Sequence, residues 1–388
     1  MAGGAMLRVV ARDGGVAVVE VEAPRLRRGE VLVETRYSVI SPGTERAIVA
    51  ATGRGLEHVH EYPEHGQAWP RIRSDAVRGE ELLPRPPSGS FASLGYGLAG
   101  VVLDVAPDVT DLRPGDEVAC AGSQCAFHAE IVAVPRSLAV PVPAGLPLDR
   151  AAFVTLGSIA MASLRRAGCG LGETVVVLGA GVLGNLTVQL AAAAGMYSAC
   201  VDPRAARRAL VAAHGGHGTH GTRGGHGTHA APAVDDPELA AWLARSTGGF
   251  GADAAIVSVT TRSGDVVDAA LGLLRRGGRV VLVGQMELHL DRDRLFGSGA
   301  TIATSSAYGP GRYDPVYEES NVDFPIDIVR WTENRNMALV LRLAAEERLD
   351  LAAIPVVRAP IGEAPGAYAA LAADESVLTA ILSYGESR

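Results

Sequence analysis

Residues 175–184, VVVLGAGVLG, run four apolar residues into Gly179, Gly181 and Gly184 at G-x-G-x-x-G spacing. A strand that turns into a helix through such glycines can cradle a pyrophosphate. The first glycine allows the tight turn, the second admits the phosphates to the backbone, and the third lets helix and strand close together. Val182 and Leu183, inside the fingerprint, open the helix whose free N–H groups and positive dipole end would face the phosphates. Asp202 ends the next strand-like run, YSACVD, where an acidic side chain can hold a ribose 2′-hydroxyl. The alternative for Asp202 is a plain Asp-Pro turn or a helix cap. A carboxylate there selects NAD; Arg204, Arg207 and Arg208 follow at once and would favour NADP if they took a 2′-phosphate. Ser258, Gly284 and Ser306, near the ends of later strand-like runs, complete the expected nucleotide site.

A second group with chemistry is SSAYGPGRYDPVYEE, residues 305–319. Gly309, Pro310 and Gly311 read as a turn that aims Tyr308, Arg312 and Tyr313 outward, where a charged planar group between two phenols suits a polar or anionic substrate. An ion pair of Arg312 with Asp314 or Glu318 is the structural alternative. VRWTENRNM then reads as a helix, with Arg330, Trp331 and Arg335 near one face and Trp331 a substrate candidate.

These groups need a frame. A chain of 388 residues, 48% hydrophobic and 20% charged, suits about two globular domains. Its net charge of −8 and lack of a basic block argue against nucleic acid as a partner. All 35 basic residues are arginine, so lysine Schiff-base chemistry is excluded. Four cysteines form no C-x-x-C pair, the N-terminus has no signal-peptide succession, and no apolar run reaches the ~18 residues of a membrane span. The expectation is a cytoplasmic protein with no membrane partner.

Up to about residue 147 the chain reads as short strands: LRVVARDGGVAVVEVEAP, EVLVETRYSVI, AGVVLDVAPDV and LRPGDEVAC. Residues 148–168 change to a helical period, opened by Asp149 and closed by Gly168. From Glu173 strand and helix alternate: TVVVLG, helix 182–194, YSACVD, helix 204–213, GADAAIVSV, helix 264–276 and GRVVLVG. That succession specifies an α/β fold, a doubly wound parallel Rossmann sheet beside a β-rich unit. Residues 214–232, HGGHGTHGTRGGHGTHAAP, hold GGHGTH twice and read as a Gly/His-rich surface loop that binds metal only adventitiously. Residues 50–90, with His58, His60, His65 and Trp69, read as a long loop and a candidate lid.

The order of these pieces resembles the medium-chain dehydrogenase/reductase superfamily over almost the whole chain. SVISPGTER, LGYGLAGVV, FHAEIVAVP and SSAYGPGRYD…VRWTENRNM resemble its zinc-lacking branch, which includes the dehydrogenase half of some two-domain sugar-type oxidoreductases and, more distantly, bacteriochlorophyllide dehydrogenases. The resemblance implies a GroES-like catalytic domain over 1–155 and 302–388, a Rossmann domain over 156–301, and a homodimer built across the strand in GATIATSS. Zinc-binding members carry a cysteine where this chain has Ser41 or Pro42, Gly-His-Glu where it has Gly95-Tyr96-Gly97, and a further ligand near Thr155. The structural-zinc lobe shrinks to Cys120 and Cys125. The expectation is no metal, since zinc needs three or four thiolate, imidazole or carboxylate ligands.

Hydroxyl and imidazole groups must then polarise the reacting carbonyl. Aligned with the superfamily, Thr44 and Glu45 fall at the proton-relay and supporting positions, and Tyr96 replaces a ligand histidine. Tyr96 and His128, the latter expected on a neighbouring strand, are the first candidates for donor or base, with Ser41, Thr44 and Glu45 in support. The bland alternatives are a half-buried tyrosine with its hydroxyl satisfied and a core histidine. The reaction expected is hydride transfer between a nicotinamide and a secondary alcohol or ketone on a polar small molecule such as a sugar or cyclitol. Reduction of an activated C=C bond and a non-catalytic dinucleotide-binding protein are the rivals.

Overall fold

The computed structural model describes residues 5–53, 91–214, 228–261 and 263–385. Residues 54–90 of the candidate lid and residues 215–227 of the Gly/His-rich stretch lie outside them, while residues 50–52 are the end of a helix, Pro42–Thr52. Six parallel strands form one sheet in the spatial order His229–Ala231, Tyr197–Val201, Thr174–Leu178, Ala252–Val257, Leu274–Leu282, Thr301–Thr304. In chain order this is 3-2-1-4-5-6, the dinucleotide-binding arrangement. Within Thr174–Leu178 the side chains alternate between two cores. Val175 and Val177 join one, Val176 and Leu178 the other, which is why the run is apolar throughout.

A mixed seven-stranded sheet holds Val356–Pro360, Thr379–Ser383, Glu30–Val39, Gly97–Val105, Glu117–Ala121 and Ala139–Pro141, with Ile131–Pro135 also paired to Glu30–Val39. A smaller sheet is the hairpin Ala5–Arg12 and Gly15–Glu22 plus Ala92–Ser93. Its two-residue turn, Asp13 and Gly14, has φ of 52° and 77°, as the twist of a tight hairpin requires. One core runs unbroken from Val33, Leu98 and Val118 of the mixed sheet, through Leu156 and Ala160, to Val175 and Ile256 of the parallel sheet. The two units are thus fused along an apolar seam.

Several boundaries differ from expectation. Residues 148–168 form a turn of helix, Leu148–Ala151, and then Val154–Ala167, with Phe153 buried at the break. Pro147, not Asp149, precedes the first turn, and Gly168 at φ 70° ends the second. The boundary at 155/156 therefore falls inside a helix, and 301/302 falls inside Thr301–Thr304, a strand of the parallel sheet. Helix Asp265–Gly272 is shorter than 264–276 because strand Leu274–Leu282 begins there. At the end of the Gly/His-rich stretch His229–Ala231 is the terminal sheet strand, with His229 stacked on Trp242 at 5.6 Å. Among the described residues, no helix is long and apolar enough to cross a membrane.

Candidate active site

Helix Pro42–Thr52 starts with proline in its first turn, where no N–H is needed. The Ser41 side chain makes no cap bond; Glu45 reaches back instead, its Oε1 accepting the Ser41 N–H at 2.7 Å. The Ser41 hydroxyl is thereby left near Tyr96, and Ser41 and Thr44 both stand close enough to that phenol to favour its ionised form. A Cβ on Gly43 would lie 3.7 Å from Thr260 Oγ1, just past strand Ala252–Val257. The helix N-terminus therefore meets the carboxyl end of the parallel sheet, where open α/β sheets bind their ligands.

Behind Tyr96 the polar groups are fully enclosed. Glu45, His128 and Ser38 are 0% exposed. Glu45 Oε2 receives His128 Nε2 at 3.2 Å and the Tyr368 hydroxyl. His128 Nδ1 meets Ser38 Oγ at 2.7 Å, and Ser38 in turn meets the Tyr384 hydroxyl at 2.7 Å. His128 sits in a bend before strand Ile131–Pro135 rather than on a strand. With both ring nitrogens paired and no exposure to solvent, it serves as a support for Glu45. Gly95, at φ 93°, permits this approach: a Cβ there would strike the His128 backbone. Burial pushes the Tyr96 phenol up to about 12, Glu45 adding to the shift while Ser41 and Thr44 oppose it. At neutral pH Tyr96 is a proton donor and a poor base.

The glycines between strand Thr174–Leu178 and the next helix are closely packed. Gly179 stands at φ 104°, and a Cβ on Gly184 would overlap the Gly179 carbonyl oxygen. A Cβ on Gly181 would meet only Arg207 Nη1, at 4.0 Å, leaving open space before helix Val182–Ala193. Val182 is buried and Leu183 partly so, anchoring the first turn. The Ser258 hydroxyl lies 2.9 Å from the Leu178 carbonyl and 3.1 Å from that of Gly179, bracing the loop, while Gly284 packs on the Val259 backbone and Ser306 is exposed. Asp202 is 3% exposed and accepts the backbone N–H groups of Ala180 and Arg204, both at 2.9 Å. Arg204 pairs with Glu375 at 3.0 Å, and Arg207 donates to the Glu375 carbonyl. A C-terminal loop thus reaches the mouth of the cradle.

The segment after Thr301–Thr304 turns inward, not outward. Tyr308 is 3% exposed and the Arg312 side chain is 3% exposed. Gly309 and Gly311, at φ 122° and 102°, pack on Asn336 and Tyr317, so the turn folds back onto the protein. Arg312 pairs with Glu318, and its Nη2 donates to Ser123 Oγ at 2.8 Å and Gln124 Oε1 at 2.9 Å. Its guanidinium lies 3.9 Å from the Tyr313 ring centroid. Trp331 is not on a helix: Thr332 caps Glu333–Ala345, and the indole lies between Arg165 and Arg330 at 3.6 and 4.0 Å. Sequence reasoning missed Ser38, Tyr368, Tyr384, Glu333 and Glu375, which carry no local motif and meet their partners only across the fold.

Glu333 is fully buried beside Glu318, and burial first, then that second carboxylate, pushes it up to about 9. The folded state therefore holds this proton more tightly than the unfolded chain. The stability it confers is complete below the unfolded value near 4.5 and is lost as pH rises toward 9. Glu333→Gln should flatten that decline and raise the melting temperature at pH 8 by on the order of 5 °C, read by thermal unfolding from pH 5 to 9. An equal pH slope in both proteins would contradict the assignment.

At Ser41 or Pro42, at Tyr96 and near Thr155, where the resemblance would put zinc ligands, the chain offers hydroxyl side chains. Among the described residues no cluster of three His, Cys, Asp or Glu could hold a metal ion. Residues 182–321 match the family model described as zinc-binding dehydrogenase. The match lies in the nucleotide-binding half and includes none of those three positions. The chain is 26% identical over 322 residues to D-guloside 3-dehydrogenase of Escherichia coli, covering 82% of each. In fold it is similar to an Escherichia coli oxidoreductase/dehydrogenase of unknown specificity involved in membrane biogenesis, with TM-score 0.72, 16% identity and 99% and 100% of the chains covered. It is also similar to galactitol-1-phosphate dehydrogenase of Escherichia coli, with TM-score 0.69, 18% identity and 98% and 100% covered.

Proposed function

We propose, from the premise that this chain is built as a medium-chain dehydrogenase/reductase, that it is a zinc-independent NAD(P)-dependent oxidoreductase acting on a carbonyl or secondary alcohol of a polar, polyhydroxylated small molecule. The observation that carries this reading is the Tyr96–Ser41–Thr44 hydroxyl cluster at the carboxyl end of a parallel sheet that bears a glycine cradle. The donor set does not fit zinc, because neutral hydroxyls are poor ligands for it and the phenol of Tyr96 stays protonated. The cradle does fit a dinucleotide. Gly179, Gly181 and the first turn of helix Val182–Ala193 would hold the pyrophosphate, with Arg207 beside it and Asp202 at the ribose side. The nicotinamide, when bound, supplies or accepts the hydride.

The chain's own residues then manage the proton. Tyr96 donates its hydrogen bond to the substrate oxygen and passes the proton as negative charge develops there. Ser41 and Thr44 orient the phenol, and the phenolate regains its proton from solvent water through their hydroxyls, each of which gives one proton and takes one up. Glu45 fixes the start of the helix, and His128, Ser38, Tyr368 and Tyr384 hold Glu45 in place. A phenol near 12 serves reduction better than oxidation. The same property supports the second reading, reduction of an activated C=C bond with Tyr96 protonating the α-carbon. The exposed sheet edge at Thr301–Thr304 suits pairing with a second copy, as a homodimer.

EDTA-treated protein should be stabilised by NAD(H) or NADP(H) to the extent that the folded state binds it, and addition of zinc should change nothing. Thermal scans with the four cofactors in parallel measure this. Stabilisation that requires zinc would end the metal-free mechanism. No response to any cofactor would end the oxidoreductase reading and leave even the binding-protein alternative without support.

A further inference from the structure

The mouth of the glycine cradle is shared between the two units of the fold. Residues 374–376 join helix Ala364–Ala373 to Thr379–Ser383, a strand of the mixed sheet. Asp374 shapes that loop, its Oδ1 accepting the Ser376 N–H at 2.8 Å and the Ser376 hydroxyl at 2.6 Å. Between them Glu375 meets two arginines of the parallel-sheet unit. Its Oε1 lies 3.0 Å from Arg204 Nε, and its carbonyl accepts from Arg207 Nε at 3.2 Å across 168 residues of chain. Arg204 stands between two carboxylates, since its Nη1 is 4.0 Å from Asp202 Oδ1. Arg207 Nη1 is 4.0 Å from where a Cβ on Gly181 would stand. Arg208 is used differently, donating to the carbonyls of Asp202 and Pro203 at 2.8 Å each, which fixes the turn. One residue of the C-terminal loop thus holds both guanidiniums that stand at the cradle.

We propose that Glu375 is a cofactor-specificity residue acting through Arg204: its carboxylate sets the ribose corner of the cradle for the 2′-hydroxyl of NAD(H), and its removal opens that corner to the 2′-phosphate of NADP(H). This rests on the reading of the cradle as a dinucleotide site. Sites of this kind take a ribose 2′-hydroxyl with a carboxylate and a 2′-phosphate with an arginine. This corner has both, so the balance of charge decides. Asp202 accepts one backbone N–H on each oxygen, from Ala180 and Arg204, and each oxygen keeps a lone pair for a ribose hydroxyl. The Arg204 guanidinium would serve a phosphate unless a further anion claims it, and Glu375 is that anion. A 2′-phosphate entering there must displace Glu375 and then lie beside two carboxylates, whereas a hydroxyl brings no charge to be repelled. The Glu375 side chain is 69% exposed, so its influence is that of a surface charge and weakens with salt.

The test is fluorescence titration of the full chain with NADH and NADPH at low salt, beside calorimetric titration with 5′-AMP and 2′,5′-ADP, which differ by the 2′-phosphate alone. Wild type should bind NADH about 10-fold more tightly than NADPH. Glu375→Gln keeps the size of the side chain and removes its charge. That variant should tighten NADPH about 10-fold and leave NADH within about 3-fold of wild type. Its melting temperature should stay within about 2 °C, because an exposed ion pair contributes little to stability. The fragment 2′,5′-ADP should follow NADPH, and 5′-AMP should follow NADH. Adding Arg204→Ala to Glu375→Gln should cancel the gain, which a general loosening of the loop would not do. A wild type that prefers NADPH, an unchanged NADPH affinity in Glu375→Gln, or a gain that survives Arg204→Ala would overturn the proposal. Failure of wild type to bind either cofactor or either fragment would instead overturn the reading beneath it.

Discussion

Tyr96→Phe should lower kcat for the chemical step by about 10²–10⁴-fold, the range of a positioned general acid. The Kd for cofactor should not change, because the lost hydroxyl neighbours Ser41 and Thr44 rather than the cradle. The phenol is held near 12, so its proton is present throughout the neutral range. Reductive turnover should therefore show no limb due to Tyr96 between pH 6 and 9. Single-turnover hydride transfer, with either ketone or enone, reads the chemical step apart from product release. Unchanged rates in Tyr96→Phe would remove Tyr96 from the mechanism. His128→Ala should act differently. His128 lies behind Glu45, so its loss destabilises the protein and disturbs the helix start before it affects proton transfer.

Gly181→Val should abolish measurable cofactor binding, raising Kd by more than about 100-fold, while leaving the melting temperature of the free protein within about 2 °C of wild type. Gly181 has φ −69° and ψ −171°, extended backbone that any residue adopts. A Cβ there meets only the far end of Arg207, so the empty fold tolerates it. The cost falls where the pyrophosphate must approach the backbone. Gly184→Ala makes the contrast: its Cβ overlaps the Gly179 carbonyl oxygen, so that variant should lose folding stability with or without ligand. Titration of intrinsic fluorescence with NADH and NADPH, alongside thermal scans, separates the two. Full cofactor affinity in Gly181→Val would mean that the cradle is not the nucleotide site.

The parallel sheet and its glycine-rich turn were legible because each depends on local pattern, apolar strands, turns at glycine and helices between, whereas the terminal strand His229–Ala231 was hidden in a stretch that reads as a loop. Asp202 shows the limit of that reading. Its place at a strand end follows from spacing, but its burial and its two backbone donors depend on how the Gly179 loop and the Arg204 turn close around it. The direction of the turn at Gly309–Gly311 was misread for a related reason. Glycines announce that the chain turns, whereas its direction is set by what it packs on, here Asn336 and Tyr317.

By itself the sequence determined the two-unit α/β architecture and the glycine-rich turn between strand and helix, both matters of residue type at fixed spacing. Only the tertiary structure decided which polar groups are spent on one another inside the protein. His128 closes on Glu45 and Ser38, and Arg312 closes on Glu318, across 83, 90 and 6 residues respectively. Such pairings are governed by burial: a charge or imidazole taken from water must find a partner, and the fold determines which partner is within reach.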